Sequence, residues 1–203
     1  FIDWSKIIFR NSDLFYQNNS NFAASIFTMD NDVLREKKVS ESKTTMTELV
    51  MPNDTNPLGN LMGGNLMRWM DMVASICAGK HCEAHVVTAS VDHVSFTHPI
   101  RMGEVVTIEA QVTRAFNTSV EVHVQVYAVD FKGQKPKRSN HAYFTFVALE
   151  DETLRPQAVP QVLPLTQEET TLYENAIKRR ELRLVLSGRM KPGQATELKT
   201  MFV

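Results

Sequence analysis

The chain has 203 residues, 43% of them hydrophobic, enough for one ordinary domain with extensions or two small ones around a packed core. Its 22 Lys and Arg nearly balance 23 Asp and Glu to a formal charge of −1, so no global field draws it to nucleic acid or to an anionic membrane, and neither is expected as a partner. No apolar stretch approaches the roughly 20 residues of a bilayer span, and Asp3 and Lys6 interrupt the opening FIDWSKIIFR in a way unlike a signal peptide, so a cytoplasmic protein is expected.

Residues 1–43 show no sustained period and carry a polar patch, Gln17–Asn21, and a charged one, Arg35–Lys38. They read as an N-terminal extension with one short helix around Ser12–Phe27. Thr44–Met51 suits a strand, and Pro52–Gly59 is dense in turn formers. Asn65–Ala78 is the central helix: apolar residues take up most of its circumference, so it is enclosed and not laid on a surface. Its exceptions, Arg68, Asp71 and Ser75, follow i, i+3, i+7 spacing and form one narrow polar stripe. Cys77 and Cys82 lie near His81 and His85, which suggests zinc. A structural zinc site takes paired ligand units, though, and no second pair occurs, so two reduced thiols and no metal are expected. His81 ends the helix where the dipole favours an imidazolium and is read as a cap.

After Gly79 the period changes to alternation. His85–Phe96 alternates weakly, as a strand buried on both sides does. Val106, Ile108, Ala110 and Val112, then Val120, Val122, Val124 and Val126, alternate cleanly with polar residues in two further strands, joined by a short hairpin at Asn117-Thr118. A basic loop, Asp130–Asn140, leads to a last strand, His141–Glu150. One strand, a nearly all-apolar helix and four mostly antiparallel strands have an economical solution, in which the sheet wraps the helix. This α+β hotdog arrangement is expected over residues 44–150. Residues 151–203 follow as a proline-punctuated connector, a peripheral helix and a tail. A capping box at Thr166–Glu169 opens that helix, Leu172, Ala176, Ile177 and Leu184 form its stripe, and it ends near Gly188; the tail from Met190 is expected to be loose. No internal repeat occurs, so one hotdog unit is expected.

The stretch VMPNDTNPLGNLMGGNLMRWMDMVASICAGKHC carries a specific resemblance through Pro52, Asp54, Asn56, Gly59, Asn60, Gly63, Gly64, Met67, Met70, Asp71, Ala74 and His81. With VVTASVDHVSFTHPIRMGEVV and AYFTFVALE, it resembles the hotdog-fold acyl-CoA thioesterases, in the class of the bacterial cytosolic and vertebrate brain-type enzymes. The resemblance implies hydrolysis of medium to long fatty acyl-CoA to free acid and CoA, with Asp71 as general base or nucleophile. It places Asn56 across a dimer interface and the helix-start amides at Gly63 and Gly64 on the thioester carbonyl. It implies no cofactor, since CoA belongs to the substrate and product. It also implies a homodimer as the active unit, plausible as a trimer of dimers and so a hexamer, because the vertebrate enzymes fuse two units where this chain carries one.

Physics supports these roles. A helix starting near Gly64 or Asn65 offers unpaired N–H groups and a positive dipole end to an oxyanion, and the glycines let a thioester approach the backbone. Asn65 and Arg68 flank that position and, with Gly63, are expected to bind the substrate. Lys132, Lys135, Lys137 and Arg138 form the densest basic cluster of residues 44–150, a candidate for the CoA phosphates. Arg114, Asn117, Thr118 and Ser119 are a second candidate.

Plainer readings compete. Asp71 alone reads as a carboxylate paired with Arg68 or solvated, and Asn56 as an Asx turn before Pro57. Ser75 lacks the G-x-S-x-G context of a nucleophile, and the basic loop reads as a solvated hairpin tip. A dehydratase of this fold would want a histidine between Asn53 and Asp71, and none is present. A non-catalytic acyl-CoA-binding sensor of the same fold is kept open by the two extensions, but a sensor needs neither Asp71 nor Asn56.

Overall fold

A computed structural model of the chain describes residues 35–132 and 136–200. The helix expected around Ser12–Phe27 and the cation Lys135 lie outside the described residues. In chain order the elements are β1 (Glu36–Lys38), α1 (Val39–Ser42), β2 (Thr44–Leu49), α2 (Gly63–Cys82), β3 (His85–Phe96), β4 (Glu104–Ala115), β5 (Ser119–Asp130), β6 (Lys137–Leu149), β7 (Gln161–Leu163), α3 (Gln167–Leu186) and α4 (Thr196–Lys199).

Five strands form one antiparallel sheet in the order β2-β4-β5-β6-β3. The alternating valines explain its shape. Ile108 and Val112 on β4, Val122 and Val126 on β5, and Phe144 and Phe146 on β6 are each wholly buried. Met70, Val73, Ala74, Cys77 and Ala78 of α2 are buried to the same degree and share one core cluster with them. An α-helix apolar over most of its girth buries itself only if a sheet curls around it, and this is the hotdog fold.

The helix differs from expectation at both ends. It starts at Gly63 and runs to Cys82, where Glu83 takes left-handed backbone at φ 52°. His81 is not a charged cap: it is wholly buried, with Nε2 2.9 Å from the Pro160 carbonyl, and burial pushes its pKa down. A cation that serves this helix end is Lys37 of β1, whose Nζ donates to the Lys80 carbonyl at 2.8 Å and reaches Glu83 Oε1 at 2.7 Å. The two thiols are buried and free, and desolvation pushes each up to about 12, which keeps them as unreactive thiols.

β3 is not a strand buried on both sides. Among the described residues it pairs only with β6, at the edge of the sheet, and Thr88 and Ala89 are exposed. Its weak alternation belongs to an edge interrupted by register shifts at Thr88/Ser90 and Asp92/Ser95. The connector contributes β7, which pairs in parallel with β1. Behind the sheet, α3 keeps its capping box but buries only Ala176. It is held by cations: Arg114 over Tyr173 at 4.1 Å, Arg179 over Tyr143 at 3.9 Å and Arg180 over Phe116 at 4.6 Å. Beyond α3 the chain is tied down as far as Thr200, with the Leu198 amide donating to Glu181 Oε2 at 2.7 Å, so this part of the tail is not loose.

Candidate active site

The turn before α2 is built by its own side chain. Asn56 Oδ1 accepts from the Leu58 amide at 3.0 Å and the Asn60 amide at 3.2 Å, and the Gly59 amide closes the turn on the Asn56 carbonyl at 2.9 Å. Asn first, Pro57 second and Gly59 fourth are the residues such a turn prefers, and Gly59 sits at φ 73°, where a Cβ would be strained. The Asx reading of Asn56 therefore holds. It fixes the side chain through its oxygen and leaves Nδ2 without a partner among the described residues.

This turn delivers the start of α2. Among the described residues no side chain caps the helix; Leu66 makes the first helical bond, to the Met62 carbonyl at 3.1 Å, so the amides of Gly63 and Gly64 stay open there. Both glycines are exposed, and a Cβ on Gly64 would meet nothing within 4 Å. Asn65 is turned aside, its Nδ2 3.5 Å from Asp54 Oδ1. Gly63 borders a pocket of about 360 Å³ lined also by Asn56, Leu66, Phe96, Pro99 and Asn140 among others.

Asp71 is not in that pocket. It lies eight residues further along α2, roughly 12 Å at helical rise. Its Oδ1 accepts from Thr88 Oγ1 of β3 at 2.8 Å. It forms no ion pair with Arg68, whose Nη1 rests 3.8 Å from Met72 Sδ, and Ser75 turns its hydroxyl back to the Met72 carbonyl at 2.9 Å. The expected stripe therefore exists as a sequence of neighbours but not as a network. Thr88 is the residue that sequence reasoning missed, because pairing a strand hydroxyl with a helix carboxylate 17 residues away leaves no periodic signal.

The described members of the basic cluster are dispersed. β6 begins at Lys137, so Lys137 and Arg138 stand on a strand and not in a loop. Lys137 lines a polar depression of about 330 Å³ with Arg101, Glu104 and Asp130, which shares His98 and Pro99 with the first pocket. Arg138 pairs with Tyr127 and places its charge near His123 and Tyr143 on the outer face of the sheet. Lys132 is exposed in the turn after β5. In the second candidate group, Arg114 donates to the Tyr173 carbonyl at 3.1 Å, and the backbone carbonyls of Asn117 and Thr118 accept from the Val159 and Ala148 amides.

The arrangement offers an open helix start, an apolar-walled groove and, one helix face away, a carboxylate held by a hydroxyl. Residues 58–132 match the family model described as Thioesterase superfamily. The chain is 40% identical over 139 residues to an uncharacterized acyl-CoA thioester hydrolase, YkhA, of Bacillus subtilis, covering 68% of this chain and 80% of that one. It is 41% identical over 150 residues to mouse acyl-coenzyme A thioesterase 11, covering 74% of this chain but only 25% of the mouse protein, so it spans a quarter of that relative's length.

Among solved structures, an acyl-CoA hydrolase from Staphylococcus aureus in complex with butyryl coenzyme A, coenzyme A and coenzyme A disulfide has a TM-score of 0.70. It is 39% identical and covers 76% of this chain and 95% of its own. Alanine variants of the same hydrolase have been solved at an asparagine, an aspartate and a threonine. A hexameric acyl-CoA thioesterase has a TM-score of 0.73 at 38% identity, covering 75% of this chain and 97% of its own. This chain belongs to the hotdog-fold acyl-CoA thioesterase family.

Proposed function

We propose that the protein hydrolyses fatty acyl-CoA to free fatty acid and CoA in an active site shared by two copies of the chain. The observation that carries this is the pair Asp71–Thr88. The three alanine positions of the Staphylococcus aureus hydrolase are separated by 15 and 17 residues, as Asn56, Asp71 and Thr88 are here.

In this reading the thioester carbonyl lies on the Gly63 and Gly64 amides, which stabilise the oxyanion as it forms. Thr88 occupies one oxygen of Asp71, and the other takes the proton of the attacking water. The tetrahedral intermediate collapses to the carboxylic acid, and the CoA sulfur leaves and is protonated. The reaction as proposed needs no further cofactor.

One chain does not bring these parts together, since Asp71 and the helix-start pocket lie roughly 12 Å apart along α2. A second copy supplies the missing half. Among the described residues β3 has a free edge, and Met72 and Ile76 of α2 are 37% and 48% exposed. Pairing through this edge would set the Asn56 turn and helix start of one copy against Asp71 of the other. The hexameric neighbour supports further assembly, as a trimer of such dimers. Of the basic residues, Lys137 is the one we assign to the CoA phosphates, since its depression continues the helix-start pocket.

The test follows thiol release from a short, a medium and a long acyl-CoA with the native protein and Asp71→Asn. Release by the native protein, lost in a folded and assembled variant, is expected. Binding of all three without release by either protein would replace the hydrolase with a sensor.

A further inference from the structure

We propose that Ser139 and Asn140, set side by side by a bulge in β6, are positioning residues that hold the Ser95–Ile100 segment as the wall of the substrate groove. This rests on the reading of the groove given above, and it names the device that decides how tightly acyl-CoA is gripped.

The bulge is seen in the register. Asn140 pairs with Val126 and Arg138 with Tyr127, so Ser139 is the extra residue between them. In a regular strand, neighbouring side chains point to opposite faces, and one of these two would face outward. A bulge re-aims a side chain, and here both polar residues turn inward, 1% and 2% exposed. Both are used on the same segment. Asn140 Nδ2 donates to the Ser95 carbonyl at 2.9 Å. Ser139 Oγ lies 2.8 Å from the His98 carbonyl and 2.5 Å from Asn140 Oδ1, and the Ser139 carbonyl accepts from the amide of Thr97 at 3.2 Å and from its hydroxyl.

The other side of the segment is tied to the turn that carries Asn56. The Leu61 amide donates to the Ile100 carbonyl at 2.8 Å, and Asn60 bridges to Arg101. Between these ties the segment presents Phe96, Pro99 and Ile100 to the pocket of about 360 Å³, and Asn140 reaches that pocket as well. The Phe96 ring stands 3.5 Å from where a Gly63 Cβ would lie, directly beside the open amides. Releasing the segment therefore moves an apolar wall relative to the groups that hold the carbonyl, while Asp71 and Thr88 stay in place. A residue that only satisfied loop carbonyls would change stability alone.

The experiment measures kcat and KM for acyl-CoA, and the Kd of a non-hydrolysable acyl-thioether analogue of CoA, for the native protein, Ser139→Ala and Asn140→Leu. Val162→Ala in β7, at the other end of α2, is the control for lost stability. Expected are a rise of fivefold or more in KM and Kd for Ser139→Ala, kcat within twofold, and unchanged constants for the control. Should Asn140→Leu not fold, Ser139→Ala decides. Native KM and Kd in folded Ser139→Ala, with the native protein active, overturn the positioning role and leave the hydrolase standing. No turnover by any protein, but a raised Kd in the variants, overturns the hydrolase and keeps the wall. A native protein that neither turns over nor binds overturns both.

Discussion

His123 makes the stability of this protein depend on acid in a way that can be calculated. It stands on β5, facing the outer side of the sheet, 3% exposed, stacked on Tyr143 at 4.6 Å, and neither ring nitrogen has a partner among the described residues. Burial is the main force against its charged form, and the charges of Arg138, Arg179 and His141 add to it, so its pKa falls from 6.5 to about 3. The unfolded chain binds this proton below pH 6.5, whereas the folded chain does not until about 3. The stabilisation is therefore complete above pH 6.5 and is lost as the pH falls from there toward 3. Between pH 8 and pH 5 the loss from this one group comes to about 2 kcal/mol. His81 is shifted the same way by its own burial and adds to the trend.

His123→Phe keeps a ring on Tyr143 and removes the proton site. Urea unfolding at pH 8 and pH 5, at one protein concentration so that assembly is held constant, reads the difference through buried Trp69. The native protein should lose about 2 kcal/mol more than the variant across this interval. Parallel losses would refute the reasoning, as would a His123 ring signal that titrates above pH 5.

Thr88→Val removes the donor to Asp71 at an exposed site, so turnover should fall about 10- to 100-fold with the melting temperature unchanged; an unaltered kcat rejects the role. Arg179→Ala strips the charged partner from Glu121, which is wholly buried and 2.7 Å from Arg179 Nη2, and leaves it the Thr113 hydroxyl at 2.6 Å. The expected cost is about 3–5 kcal/mol in urea unfolding, much less for the Glu121→Leu/Arg179→Leu pair, and a single-variant cost under about 1 kcal/mol would count against the clamp. Mixing Asn56→Ala with Asp71→Asn chains should recover about a quarter of native activity, because a mixed dimer holds one complete site. No recovery, with exchange shown by mass, would place both residues in one chain.

The β2–β6 framework was legible in the sequence because its cause is local. The alternating valines of β4 and β5 and the Thr166–Glu169 capping box each depend on residues a few positions apart, and each forms as read; α2 is apolar around its girth as read, but it is not enclosed, since Met72 and Ile76 stay exposed on one face. Asn56 was legible twice, as a turn former and as a motif residue. His81 was misread because its position on the helix could be seen, but the Pro160 carbonyl that buries it lies 79 residues away. The spread of the basic cluster was hidden for the opposite reason: residues close in sequence suggest one site, but Lys132 sits in the turn after β5 while Lys137 and Arg138 stand on β6.

The residues of this protein therefore determined by themselves the central helix, the strands β2–β6 and the C-terminal helix α3, the apolar positions along them, and that an acid interrupts the central helix; the short elements β1, α1, β7 and α4 left no such pattern. Periodicity and turn chemistry act within one element and leave their pattern in the chain. Tertiary structure alone decided that Thr88 holds Asp71, that Lys37 and not His81 serves the end of α2, that a bulge turns Ser139 and Asn140 onto the groove wall, and that β3 lies at an edge. These are pairings between elements far apart in sequence, set by the register of the sheet and its wrap around α2.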